Sequence, residues 1–222
     1  MSTIKAIIYD VDGTMVNSEP LHVSAWDEAL KVSDRNLSDL SQIFRQTMAG
    51  KKPIVIARGM VEELNLPISA NELLELKSSL FLEKARTSLL GMPGVVASIH
   101  RFKEAGYKLA IGTSLDRDFL DIILNILNVS DLFDVIVTGD QIENGKPDPE
   151  TYLKVSNQLG ISPNECVVFE DAQSGIQSAK AASAWCIAIK NKDAISQDTH
   201  DADITVSTLN DITLDLLKRF TS

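Results

Sequence analysis

The pattern that most constrains this chain is a recurrence of short apolar runs rich in valine and isoleucine. Each run ends in polar or small residues, and each is followed by a helical pattern. The runs predict strands at KAIIYD (5–10), KLAIGT (108–113), DVIVTG (134–139), CVVFED (166–171), WCIAIK (185–190) and DITV (203–206). A strand that is apolar at nearly every position is buried on both faces, and intervening helices supply the cover. The pattern therefore predicts an α/β fold around a parallel sheet. In such sheets ligands sit beyond the carboxyl ends of the strands.

At 222 residues the chain can bury roughly 70% of its unfolded surface, enough for a large core. Its 44% hydrophobic and 23% charged residues are those of an ordinary globular protein. A formal net charge of −10 sets a field that repels nucleic acid and anionic membrane surfaces, so neither is expected as a partner. No apolar stretch approaches the roughly 18 residues of a membrane span, and MSTIKAIIYD lacks the apolar region and cleavage site of a secretory signal. A cytoplasmic location is expected, and nothing requires more than a monomer. Cys166 and Cys186 fall in apolar, strand-like segments and are expected to be buried, reduced thiols without chemistry.

Residues 18–88 differ from the rest, for they contain no convincing strand. Amphipathic helices are predicted over 19–32, 37–48, 54–64 and 69–85, with Ser69 and Glu72 at the spacing of a capping box. An all-helical insert of this length directly after the first strand is too long for an ordinary crossover. It is expected to be a small domain (18–88) set over the carboxyl edge of a core domain built from 1–17 and 89–222. Hinges are expected near Val16 to Pro20 and Leu90 to Pro93.

The strand ends carry the polar residues. Asp10 and Asp12 follow the first strand, Thr113 and Ser114 the second; Lys146 lies in NGKPDPETY, and Glu170 with Asp171 closes the fourth. Each has a plain alternative. DG at 12–13 favours a turn. A calcium loop starting at Asp10 would need glycine and glutamate where Met15 and Leu21 stand, and fails. Thr113 and Ser114, or Glu170 and Asp171, taken alone could cap the helices that follow. Lys146 is flanked by Gly145 and Pro147, with Asp148 and Pro149 expected as N-cap and N1 of the next helix, so its direction is constrained. Taken together, several carboxylates, a hydroxyl and an ammonium at one crevice suit Mg²⁺, a hard cation that prefers oxygen and completes its shell with substrate phosphate. A phosphoryl group would then be held by the cation, Lys146, Thr113 and backbone N–H groups.

In order and separation, DVDGT (10–14), GTS (112–114), GKPDP (145–149) and EDAQSG (170–175) resemble the four motifs of the haloacid dehalogenase superfamily. The resemblance runs over the whole chain and is to the branch with a helical cap after the first strand. It implies a Rossmann-like core, Asp10 as the nucleophile that forms an aspartyl phosphate, and Asp12 as general acid and then base. It also implies that Asp10, the Asp12 backbone carbonyl, Glu170 and Asp171 hold Mg²⁺ directly or through water. Thr113 and Ser114 would bind phosphoryl oxygens, and Lys146 would steady the nucleophile and the transferring group.

Dehalogenases and phosphonate-cleaving members do not carry aspartate at the position of Asp12, which leaves O-phosphate chemistry on a small phosphorylated metabolite. The linker NSEPLH (17–22) resembles both sugar-phosphate phosphatases and β-phosphoglucomutases, and His22 matches a histidine used by the mutases. Against a mutase, Pro53 and Ile56 stand where the arginine and serine that grip the mutases' second phosphate are expected. Lys51 and Lys52 could supply that charge or be solvated helix-start lysines. Ala172 and Ser183 replace a usual serine and glycine, neither catalytic. A phosphatase is the expected function, with a mutase and a non-catalytic binding relative as alternatives; no nucleophile, acid or metal ligand is missing to favour the last.

Overall fold

The computed structural model describes residues 3–46, 48, 53–190 and 198–220. Helices α1 (Glu19–Leu30), α2 (Gln42–Gln46), α3 (Pro53–Leu64), α4 (Ala70–Ser88), α5 (Val95–Glu104), α6 (Arg117–Leu127), α7 (Glu150–Leu159), α8 (Gln173–Ala181) and α9 (Leu214–Leu217) alternate with or interrupt the strands. The strands are β1 (Ala6–Tyr9), β2 (Lys108–Gly112), β3 (Val135–Val137), β4 (Cys166–Glu170), β5 (Trp185–Ile189) and β6 (Ile204–Val206). Contacts divide the chain into two units, Met1–Asn17 with Leu90–Ser222, and Ser18–Leu89.

In the first unit all six strands form one sheet in the order β3-β2-β1-β4-β5-β6, with every neighbouring pair parallel. The chain builds outward from β1 to β3, then returns to place β4 on the other side of β1. The order thus reverses between β1 and β4, where parallel sheets open a ligand crevice. Register makes the strand ends level there: Tyr9 pairs with Ile111 on one side and Phe169 on the other. The next residues, Asp10, Gly112 and Glu170, therefore finish three adjacent strands at the same height.

The two-residue period of a strand sorts the side chains between faces. Ala6, Ile8, Ala110, Cys166, Val168, Cys186 and Ala188 join Tyr152 and Val155 of α7 and Ile176 and Ala179 of α8 in one buried cluster. Asp10 and Glu170 continue the Ile8 and Val168 series, so both carboxylates emerge on the α7/α8 face. On the opposite face the rings of Tyr9 and Phe169 meet edge-on at 5.0 Å, and Phe102 of α5 packs 5.8 Å from Phe169. Cys166 and Cys186 are free and buried, as expected.

The second unit packs Trp26, Ala29 and Leu30 of α1 against Ile56, Ala57 and Met60 of α3 and Leu73 of α4. The Ser69 capping box is present: the Glu72 N–H donates to Ser69 Oγ at 3.2 Å, and the Ser69 N–H donates to Glu72 Oε2 at 2.8 Å. The single helix expected over 37–48 is instead a 3₁₀ turn, Leu37–Asp39, followed by α2. Short polar side chains break it by offering the backbone other partners. Asn36 and Asp39 form a capping box around the turn, and Ser41 Oγ accepts from the Phe44 N–H to start a new helix. Likewise α1 stops at Leu30 rather than 32, leading into a 3₁₀ turn that Asp34 closes in the left-handed conformation at φ 53°. Among the described residues no helix is long and apolar enough to cross a membrane.

Ile8 is fully buried at the centre of the sheet. Ile8→Ala is expected to cost about 2–5 kcal/mol, read as a lower urea midpoint for unfolding of the core; an unchanged midpoint would contradict the packing described.

Candidate active site

Beyond the level ends of β1, β2 and β4 lies a pocket whose lining includes Asp10, Asp12, Thr113, Ser114, Lys146, Glu170, Asp171 and Ser174. The structure thus brings together every core residue that the sequence singled out. Asp10 is 7% exposed, Asp171 9% and Glu170 1%, which makes three carboxylates held almost entirely out of water. Asp12 is half-buried, the Lys146 side chain is 7% exposed, and Ser114 is exposed.

Lys146 is what makes this arrangement tenable. Its ammonium donates to Asp10 Oδ1 at 2.7 Å, to Glu170 Oε1 at 2.7 Å and to the Gly112 carbonyl at 3.2 Å. All three of its protons are used. Burial opposes its charge, but the flanking Asp10 and Glu170 carboxylates hold its pKa above the ordinary lysine value. Glu170 is equally engaged: Oε1 also accepts from the Tyr152 hydroxyl at 2.7 Å, while Oε2 accepts the Asp171 and Ala172 N–H groups at 3.0 and 3.1 Å. Glu170 therefore does tie to the backbone before α8, as a cap would, and at the same time fixes the lysine.

Two glycines make room for these carboxylates. Gly13, at φ 88°, sits where a side chain would overlap the Asp171 carboxylate, and a Cβ on Gly175 would overlap that of Glu170. The DG step after Asp12 is a turn, but one that the approach of Asp171 requires to be glycine. The cost of the crowding falls on the ionised form of the acids. Burial, followed by the charges of Asp10, Glu170 and Asp12, pushes Asp171 up to about 8. Burial likewise raises Asp10, against the pull of Lys146.

Thr113 is buried, and its Oγ1 accepts from the Leu115 N–H at 3.1 Å. Neither Thr113 nor Ser114 caps the next helix, since α6 begins at Arg117 with Asp116 as its N-cap. Similarly, α7 begins at Glu150 with Pro149 at the N-cap, one residue later than the sequence suggested. Asp148 Oδ1 accepts from the Glu150 N–H at 2.9 Å and so turns the chain into that helix.

In the second unit, His22 stacks on Phe81 at 4.0 Å and has Lys77 Nζ 2.7 Å from its Nδ1. An ammonium has no acceptor, so Nδ1 accepts and the ring proton is on Nε2. Burial, with Lys77 second, lowers His22 to about 3, which keeps the ring neutral at ordinary pH. Lys51 and Lys52 lie outside the described residues.

Lys77 and Tyr152 escaped the reading of the sequence. Lys77 does leave a signal: it lies four residues from both Leu73 and Phe81, in the middle of the buried stripe of α4, where a lysine is out of pattern. Tyr152 leaves none, because an aromatic residue at a core position of a helix is what packing alone would select.

The chain matches the family model of haloacid dehalogenase-like hydrolases over residues 7–189. It is 35% identical over 190 residues to a phosphorylated carbohydrates phosphatase of Thermotoga maritima, covering 81% of this chain and 82% of that one. It is 30% identical over 188 residues to the fructose-1-phosphate phosphatase YqaB of Escherichia coli, covering 83% and 95%. A crystal structure from Thermotoga maritima, provisionally assigned as a β-phosphoglucomutase, superposes with a TM-score of 0.80 at 27% identity, covering 91% of this chain and 94% of the other. With the parallel sheet, the order of its strands and the acidic crevice at the switch point, these matches show that the chain belongs to the haloacid dehalogenase-like hydrolases and is a phosphohydrolase-type enzyme of that family.

Proposed function

We propose that the protein is a Mg²⁺-dependent phosphatase of a small sugar phosphate, acting through an aspartyl phosphate on Asp10. The observation that carries this reading is the buried contact of Lys146 with Asp10 beside Glu170 and Asp171. It gives one carboxylate a fixed direction in a site whose remaining charge calls for a cation. The names of the two phosphatase relatives support a phosphorylated sugar as substrate.

The donor set fits Mg²⁺. Oxygen atoms of Asp10, Glu170 and Asp171 lie within 4.8 Å of one another. Together with Lys146, these three carboxylates carry a net charge of minus two when ionised, which a divalent cation balances. Asp10 and Asp171, with the Asp12 carbonyl, would hold it directly; Glu170, already accepting four hydrogen bonds, would act through water. When bound, Mg²⁺ supplies the positive charge that offsets the phosphoryl oxygens in the transition state.

The chain's own groups then divide the work. Asp10 attacks phosphorus while Asp12 protonates the leaving sugar oxygen. Lys146 and the Thr113 hydroxyl draw charge from the transferring group, and Ser114 adds a donor at the pocket's rim. Asp12, now a carboxylate, takes a proton from the water that attacks the phosphoaspartate, and Asp10 is regenerated. His22 and Lys51 are assigned to substrate recognition by the helical cap, residues 18–88.

A phosphomutase is the second reading, favoured by the Thermotoga maritima structure. The cap argues against it: Ile56, at the position expected for a phosphate-gripping serine, is 8% exposed and packed among Trp26, Met60 and Leu73. Conversion of β-glucose 1-phosphate to glucose 6-phosphate faster than phosphate release would select the mutase.

Three outcomes test the proposal. In a panel of sugar phosphates with Mg²⁺, Asp10→Asn is expected to abolish phosphate release, and measurable release by that variant overturns the role given to Asp10. Asp12→Ala is expected to lower turnover by about 10²–10⁴-fold, and a rate near wild type would remove Asp12 from proton transfer. Gly13→Ala, which displaces the Asp171 carboxylate, is expected to weaken Mg²⁺ binding by about 10–100-fold, measured as the loss of Mg²⁺ protection against thermal unfolding. Unaltered protection would count against Asp171 as a ligand.

A further inference from the structure

We propose that Tyr152 is a positioning residue for the reaction, setting the ammonium of Lys146 against Asp10 by acting through Glu170; this rests on the phosphatase reading above. Tyr152 lies on α7, outside the four motifs, and is fully buried. Its hydroxyl donates at 2.7 Å to Glu170 Oε1, the same oxygen to which Lys146 Nζ donates at 2.7 Å. Its ring lies 4.8 Å from that ammonium, and the ring edge backs Gly112, whose carbonyl takes the lysine's remaining proton. One side chain therefore supports two of the three acceptors that define where Lys146 points, Glu170 and Gly112, and its ring lies against the ammonium itself.

A tyrosine in a core needs some acceptor for its hydroxyl, and any carbonyl would do. Tyr152 uses the one oxygen that also anchors the lysine. Two donors on Glu170 Oε1, with two backbone N–H groups on Oε2, leave that carboxylate no other rotamer that satisfies all four. The aromatic face covers the ammonium at 4.8 Å and helps to keep its side chain out of water. Lys146 is left with a single direction toward Asp10 Oδ1, and Asp10 Oδ2 becomes the atom presented to phosphorus. Without the hydroxyl, Glu170 can turn and the ammonium can follow it away from Asp10.

Tyr152→Phe keeps the ring and removes one oxygen, so packing is retained. On the sugar phosphate that the wild-type protein hydrolyses best, kcat is expected to fall about 10–100-fold, with KM nearly unchanged and Tm shifted by only a few degrees. In a Lys146→Ala background the same change should have no further effect on kcat, because the group it positions is gone. Glu170→Gln, which weakens the same linkage from the other side, is the second variant and should show the same selective loss of kcat. A Tyr152→Phe protein with wild-type kcat, or one that loses as much in the Lys146→Ala background as in the wild type, overturns the proposal, as does a Glu170→Gln protein with normal kcat. A crystal structure of Tyr152→Phe decides without any assay: Lys146 Nζ displaced from its 2.7 Å contact with Asp10 Oδ1 supports the proposal, and an unmoved lysine overturns it. If the wild-type protein hydrolyses no phosphate ester, the phosphatase reading fails by itself and the crystal structure alone decides the role of Tyr152 in placing the lysine.

Discussion

The interaction on which the site depends is the ion pair that Lys146 makes with Asp10 and Glu170, with the three side chains 7%, 10% and 1% exposed. Such a cluster is a poor source of stability, since each charge gives up its hydration to enter it. Once it is built, removing one partner of a buried pair costs about 3–5 kcal/mol because the other charge is stranded. What the arrangement provides is direction. An ammonium with all its protons committed holds a carboxylate in one orientation, and the phosphoryl-transfer reading needs a nucleophile that does not have to be reoriented at each turnover.

The sheet makes that pair possible. Because β1, β2 and β4 end level, a carboxylate, a backbone carbonyl and a second carboxylate finish adjacent strands at the point where the strand order reverses. The two-residue period that buries Ile8 and Val168 also decides which face Asp10 and Glu170 leave by. Core packing and the geometry of the pocket are thus one pattern, continued from apolar residues into polar ones. Gly13 and Gly175 complete it by omitting the side chains that would displace Asp171 and Glu170.

Much of this could be read from the sequence. Six apolar runs gave six parallel strands, including the weakest, DITV, and the polar residues that follow β1, β2 and β4 line one pocket with Lys146. Those signals are strong because a buried strand tolerates few polar residues, so any that appear stand out. Less could be read where residue type and role do not separate. The predicted helix over 37–48 failed because Asn36, Asp39 and Ser41 compete for its backbone. Taken alone Glu170 read better as a cap than as a ligand, and in the structure it meets the N–H groups before α8 and holds the lysine as well. Tyr152 was silent because its ring satisfies packing while its one polar atom carries the further contact. Lys77 was legible in principle, as a charge on an apolar stripe, and only its pairing with His22 required the fold.

The central claim is that Asp10, held by Lys146, bonds covalently to phosphorus. The most direct measurement traps that bond: the enzyme is quenched during turnover of a sugar phosphate, the acyl phosphate is reduced with borohydride, and the digested chain is mapped by mass spectrometry. The account predicts homoserine at position 10 in place of aspartate. Recovery of unmodified aspartate at position 10 under conditions of full turnover, or of the reduced product at another carboxylate, would contradict it.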